Sequence, residues 1–161
     1  MSGEEGARPA AGEPRAFVAR DPGYEQRVRD SLARQGFLTL CGATLDALSP
    51  GHVTLSARHN HGLTQQHGFF HGGLIATLAD TAAGCAALSM MRPDVGVLSV
   101  EFKLNFLAPA RGERLVAHGH VIRPGRTLTV CRADVEVIDG DRITDVATAL
   151  LTMMSVDGFQ D

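Results

Sequence analysis

Gln65-Gln66-His67-Gly68-Phe69-Phe70-His71-Gly72-Gly73-Leu74-Ile75-Ala76-Thr77-Leu78-Ala79-Asp80-Thr81-Ala82-Ala83-Gly84 is the stretch on which the fold turns. A polar loop runs here into a long, Ala-rich, apolar helix expected over about residues 71 to 90. Leu74, Leu78, Ala82 and Cys85 form a core stripe at helical spacing. Gly73, Ala76, Thr77, Asp80 and Gly84 share another face, and apart from Asp80 they are small, so a partner or ligand can approach closely. Asp80 stands out, because Asp is a poor helix-interior residue and costly to bury unpaired. Either its face meets solvent or a neighbouring group, or it does chemistry.

The start of the same helix carries His71-Gly72-Gly73. The first turn of a helix has N–H groups without intrahelical partners at the positive end of the dipole. Paired glycines leave those groups open to an anion or a polarised carbonyl oxygen. Gly72 and Asp80 lie eight positions apart, which is ~12 Å along a helix. One water or one substrate carbonyl cannot easily touch both within one chain. If they cooperate, two copies of the helix offer a solution, with Gly72 of one facing Asp80 of the other.

Outward from the helix, residues 1–22 are Gly-, Ala-, Pro-, Glu- and Arg-rich without periodicity and are expected to be a disordered tail. Residues 23–155 are expected to form one domain and 156–161 a short C-terminal tail. An amphipathic helix is expected over Tyr24–Gln35 and a long strand over Phe37–Leu48. Ser49-Pro50-Gly51 signals a turn into a strand at His52–Arg58. After Pro93 only strands follow. Val97–Leu107 places Val100, Phe102, Leu104 and Phe106 on one side and Ser99, Glu101, Lys103 and Asn105 on the other, the pattern of a half-buried strand. Strands are expected at Glu113–Ile122, at Thr127–Ile138 with Thr129, Cys131, Ala133, Val135 and Val137 inward, and at Arg142–Met154. Asp139-Gly140 marks a hairpin between the last two. Hairpin connections imply antiparallel pairing, so the expected class is α+β, a curved six-stranded antiparallel sheet wrapped around one long central helix. One helix covers one face only, which predicts at least a dimer.

Composition narrows the function. The formal net charge is −3 over 161 residues, unlike a nucleic-acid binder. No run of about 18 apolar residues is present to span a membrane. The N-terminal residues lack an apolar signal core. The three cysteines, Cys41, Cys85 and Cys131, are far apart in apolar segments, which fits reduced thiols in a cytoplasmic protein. His59, His61, His67 and His71 cluster without a ligand spacing suited to a metal, so none is expected.

His71-Gly72-Gly73, Leu78-Ala79-Asp80-Thr81-Ala82, Ser99-Val100-Glu101-Phe102 and Phe106-Leu107-Ala108-Pro109-Ala110 together resemble the hotdog-fold acyl-CoA thioesterases, in particular the PaaI-like group. The resemblance covers about residues 36 to 155. It implies hydrolysis of an acyl-CoA to free acid and coenzyme A, with no cofactor beyond the coenzyme A of the substrate. It implies a homo-oligomer, a tetramer of two dimers, with each active site across the dimer interface. By the same resemblance Gly72 gives its backbone N–H to the thioester carbonyl, and Asp80 is general base or nucleophile. Gln65 holds water or substrate, and Ser99 places the water. His71 is expected beside the substrate at the loop-to-helix junction, bonding backbone. A hotdog hydratase or dehydratase, and a non-catalytic acyl-CoA-binding module, are the alternative readings.

Overall fold

The structure, a computed structural model, describes residues 16–159. Residues 1–15 of the expected N-terminal tail and 160–161 of the expected C-terminal one lie outside the described residues.

The first helix, α1 (Tyr24–Ala33), buries Val28 on its inner side. Its Arg27 is the clamp that ties it to the centre of the molecule. The guanidinium donates to the carbonyls of Leu88 at 2.8 Å, Met91 at 3.0 Å and Arg92 at 2.6 Å, and lies 3.5 Å from Asp21. Leu88 is the last residue of the long helix, and Met91 and Arg92 lie just beyond it, where the dipole favours a cation.

The long strand expected over Phe37–Leu48 is instead two elements. Gly36–Cys41 is a second short helix, α2, and the strand β1 spans only Ala43–Ser49. Leu38 and Cys41, three apart, are buried, whereas Phe37 and Leu40 face outward. That is helical spacing, which a short apolar run does not distinguish from a strand. Gly42 ends the helix at φ 63, the left-handed conformation glycine adopts most readily.

Strand β2 (His52–Arg58) pairs with β1. A loop with one 3-10 turn (His61–Leu63) leads into the central helix α3 (Gly72–Leu88). Four strands follow: β3 (Val95–Phe106), β4 (Arg114–Arg123), β5 (Leu128–Asp139) and β6 (Arg142–Asp157). The last strand thus runs three residues beyond its expected end at Met154. All pairings are antiparallel, in the order β1-β2-β4-β5-β6-β3. Thr129, Cys131, Ala133, Val135 and Val137 of β5 are buried on the inner face, as their alternation requires. The apolar surroundings push the Cys131 thiol up to about 12.

Helix and sheet meet most closely at Gly119 of β4. A Cβ there would stand 2.3 Å from the carbonyl carbon and oxygen of Ala82 and 2.5 Å from the nitrogen of Ala83. The helix therefore rests on the strand backbone to backbone. Ala82, Ala83, Ala86 and Ala87 are fully buried along it. The Ala-rich composition permits this close seat, and larger side chains would lift the helix.

Strand β3 departs from its expected half-burial. It is the edge strand, and Leu98 (45%), Val100 (52%), Phe102 (44%) and Phe106 (59%) are substantially exposed. Its pairing with β6 also slips at Val100: Ser99 opposes Met153, but Glu101 opposes Thr152. One extra residue in a strand reverses the facing of everything beyond it. Ser99 therefore lies on the inner face with the fully buried Met153, while Glu101 lies on the outer face and accepts from Thr152 at 2.7 Å. The expected grouping of Ser99 with Glu101, Lys103 and Asn105 is corrected by this bulge.

The outer face carries paired polar groups. His52 and His120, opposite each other on β2 and β4, bring their Nδ1 atoms to 3.0 Å. His118 lies 3.1 Å from the Thr54 hydroxyl and 3.3 Å from Glu136. Partial burial, and then the neighbouring His52, push the His120 imidazole below its ordinary range.

Gly119→Ala is expected to cost about 3 kcal/mol by overpacking the helix–strand contact. Urea unfolding should show a lower midpoint with an unchanged slope. A histidine whose folded pKa is depressed resists protonation, so its burden is absent above the unfolded value of ~6.5 and grows as pH falls below it. His120→Gln is accordingly expected to flatten the acid limb of stability between about pH 6.5 and 5, measured by unfolding at stepped pH.

Candidate active site

Loop hydrogen bonds set the entry to α3. Phe70 N–H donates to the Ala110 carbonyl at 2.8 Å, and His71 N–H to the Leu63 carbonyl at 2.9 Å. These bonds pin the loop against the connection after β3. Gln65 begins a tight turn: its N–H donates to the Phe69 carbonyl, and its side-chain oxygen accepts from the His67 N–H.

His71 is the N-cap, with extended backbone at φ −65 and ψ 137. Its Nδ1 accepts from the Gly73 N–H at 2.9 Å, which satisfies one of the unpartnered donors of the first turn. The ring thus works on backbone at the junction. Among the described residues the Gly72 N–H has no acceptor. A Cβ on Gly72 would meet the Phe106 ring at 3.1 Å, so glycine lets the ring lie against the helix start. Gln65, Phe69, Gly72, Phe106 and Pro109 line one shallow cavity of about 490 Å³.

Two helical turns on, Asp80 lines a different cavity of about 400 Å³. Ser99 donates its hydroxyl to Asp80 Oδ1 at 2.6 Å. The Val100 bulge makes this contact possible, because it holds Ser99 on the inner face opposite α3. Bulges beside sites commonly re-aim a side chain in this way. The contact fixes one carboxylate oxygen and leaves the other for a water or a substrate carbon. Cys85 and Gly84 of α3 border the same cavity.

The five sequence-derived residues therefore fall into two groups on one chain. Gln65, His71 and Gly72 sit at the helix start, and Asp80 and Ser99 about 12 Å along it. One group offers a polarising N–H and the other a carboxylate, and they open into separate cavities. Sequence reasoning missed the contributions of Ser31, Arg34 and Gln35 to the Asp80 cavity. Their only signal was their place at the end of α1, which says nothing of what they face. Among the described residues, no group of three His, Cys, Asp or Glu side chains is placed to hold a metal ion.

The thioesterase superfamily model matches residues 67–144, which include α3 and the β3–β5 region. Human acyl-coenzyme A thioesterase 13 is 36% identical over 93 residues, 57% of this chain and 66% of the human protein. A crystal structure of a thioesterase family protein from Silicibacter pomeroyi superposes with a TM-score of 0.83 at 46% identity, covering 84% of this chain and all of that one. The E. coli PaaI protein from the phenylacetic acid degradation operon superposes with a TM-score of 0.75 at 18% identity, over 86% of this chain and 96% of that one, a likeness of fold.

Ser99→Ala removes a hydrogen bond to a carboxylate worth about 1.5–3 kcal/mol. It is expected to slow turnover of a thioester at least about tenfold, while thermal unfolding stays near that of the parent protein. Steady-state kinetics beside a melting curve would separate the two effects.

Proposed function

We propose that this chain, which belongs to the thioesterase superfamily and is a thioester hydrolase of the hotdog fold, acts on acyl-CoA at a site shared by two copies of itself. The acyl-CoA substrate is supported by the likeness to human acyl-coenzyme A thioesterase 13. The observation that carries the shared site is the separation of Gly72 from Asp80 into different cavities of one chain. A second copy, turned about a two-fold axis, brings Gly72 of each chain to Asp80 of the other. The exposed apolar residues of the edge strand β3 supply the surface for that pairing, since an unpaired apolar edge is a liability in a monomer.

In this arrangement the thioester carbonyl oxygen accepts from the Gly72 N–H at the positive end of α3. That donor is fixed before negative charge develops, so little reorganisation accompanies the step. Gln65 flanks the same oxygen or the attacking water, and His71 keeps the first turn open by occupying Gly73 instead of Gly72. On the other chain Asp80, oriented by Ser99, either takes the proton of a water that attacks the carbonyl carbon, or attacks that carbon itself to give an anhydride that water then hydrolyses to the free acid; in both routes the C–S bond breaks. Coenzyme A leaves as the thiol. Two such dimers associate as a homotetramer in the cytoplasm, without a metal or further cofactor. Support for that compartment is the burial of all three free thiols, as suits a reducing setting. Among the described residues no helix is long and apolar enough to cross a membrane.

The test is thiol release from a panel of acyl-CoAs, followed with a disulfide reagent. The buried Cys131 thiol, pushed up to about 12, should contribute little background. Asp80→Asn is expected to lose at least about a thousandfold in kcat, in keeping with loss of a general base. Gly72→Pro removes the N–H at the first helical position, where proline is tolerated, and its added Cβ requires the Phe106 ring to give by a few tenths of an ångström. The extended His71 backbone already suits a following proline. Each variant alone should be nearly inactive. Refolded together in equal amounts, they should recover roughly a quarter of parental activity, because half the dimers are mixed and each holds one intact site. No recovery on mixing would sink the shared site.

A further inference from the structure

The cavity beside Asp80 has an unusual pair of walls. On α3, Gly84 is buried, yet a Cβ built on it would meet nothing within 4 Å. Its missing side chain is open cavity, not packed core. The rest of the lining is mixed: Cys85, Val97 and Leu98 are apolar, whereas Ser31, Arg34 and Gln35, from the end of α1 and the start of α2, gather polar groups on the same 400 Å³ as Asp80 and Ser99. The cavity at the helix start is bordered differently, by Phe69, Phe70, Ile75, Phe106, Leu107 and Pro109. A plain alkyl chain would gain more from that second surface than from a guanidinium, an amide and a hydroxyl.

We propose that the acyl group enters the Asp80 cavity past Gly84 and is selected by a terminal carboxylate that Arg34, with Gln35 and Ser31, receives at the far wall. The substrate class is then the coenzyme A monothioester of a dicarboxylic acid. This rests on the acyl-CoA hydrolase reading above and adds which acyl group that site takes. The chemistry of recognition is the two-pronged match of guanidinium to carboxylate, which a neutral chain end cannot make. Gly84 leaves room in the cavity that Asp80 and Arg34 share, and a side chain there would take up part of it.

The experiment compares adipoyl-CoA with 6-methylheptanoyl-CoA, in which methyl groups replace the two carboxylate oxygens, and includes acetyl-CoA. The parent protein is expected to favour adipoyl-CoA over its isostere at least tenfold in kcat/KM. Arg34→Met should bring that ratio close to one, and Arg34→Lys should restore part of it. Gly84→Val should shift the ratio of adipoyl-CoA to acetyl-CoA at least tenfold towards acetyl-CoA. Circular dichroism and melting curves confirm that each variant is folded. If Arg34→Met does not fold, Gln35→Leu takes its place and is expected to lower the same ratio. Thiol release from all three substrates with the isostere equal or preferred would overturn the inference and leave the hydrolase reading standing. Release from none of the three, or from any wider acyl-CoA panel, would overturn both.

Discussion

The seat of α3 on Gly119 is the contact on which the rest of the molecule depends. Backbone meets backbone there, with no room for even a methyl group. The Ala-rich stretch that seats the helix fixes its height over the sheet and its rotation about its own axis. Rotation decides the chemistry, because Asp80 and Ala82 are neighbours on one helix. With Ala82 and Ala83 against β4, Asp80 is turned towards β3 and meets Ser99. Arg27 then holds the far end through three carbonyls, so the helix can neither slide nor lift independently of α1.

The same seat leaves one edge unfinished. The sheet wraps the helix but ends at β3, whose apolar side chains remain exposed. The small face of α3 lies beside that edge. The Asp80 carboxylate set here and the open Gly72 N–H two turns away face separate cavities of one chain. In the proposed dimer, pairing on this edge would bury apolar surface and bring the two groups together in one event. In that proposal, loss of the edge contact would silence the enzyme without disturbing either half-site.

Much of this was legible because the responsible patterns are local. The alternation along β5 shows in Thr129, Cys131, Ala133, Val135 and Val137 irrespective of what they pack against. The helix start at His71-Gly72-Gly73 rests on capping geometry confined to one turn, and the Nδ1 bond from His71 to Gly73 is that capping realised. Phe37–Leu48 reads as one long strand because a short apolar run such as Phe37, Leu38, Leu40 and Cys41 suits either period. Only the burial of Leu38 and Cys41 together, with Gly42 closing the turn, decides for helix. At β3 a perfect alternation was read through a bulge, and a single unpaired residue leaves no mark on composition.

The sequence by itself determined the class of fold, the central helix with its lone carboxylate, and the distance that separates Asp80 from Gly72, since helical rise converts residue count directly into length. Tertiary structure alone decided which residues those groups meet. It placed Ser99 on the inner face through the slip at Val100, laid Phe106 against Gly72, and folded Ser31, Arg34 and Gln35 around the Asp80 cavity. The reason is range: periodicity and capping act within a few residues, whereas register across strands and the walls of a cavity follow from packing between segments dozens of residues apart.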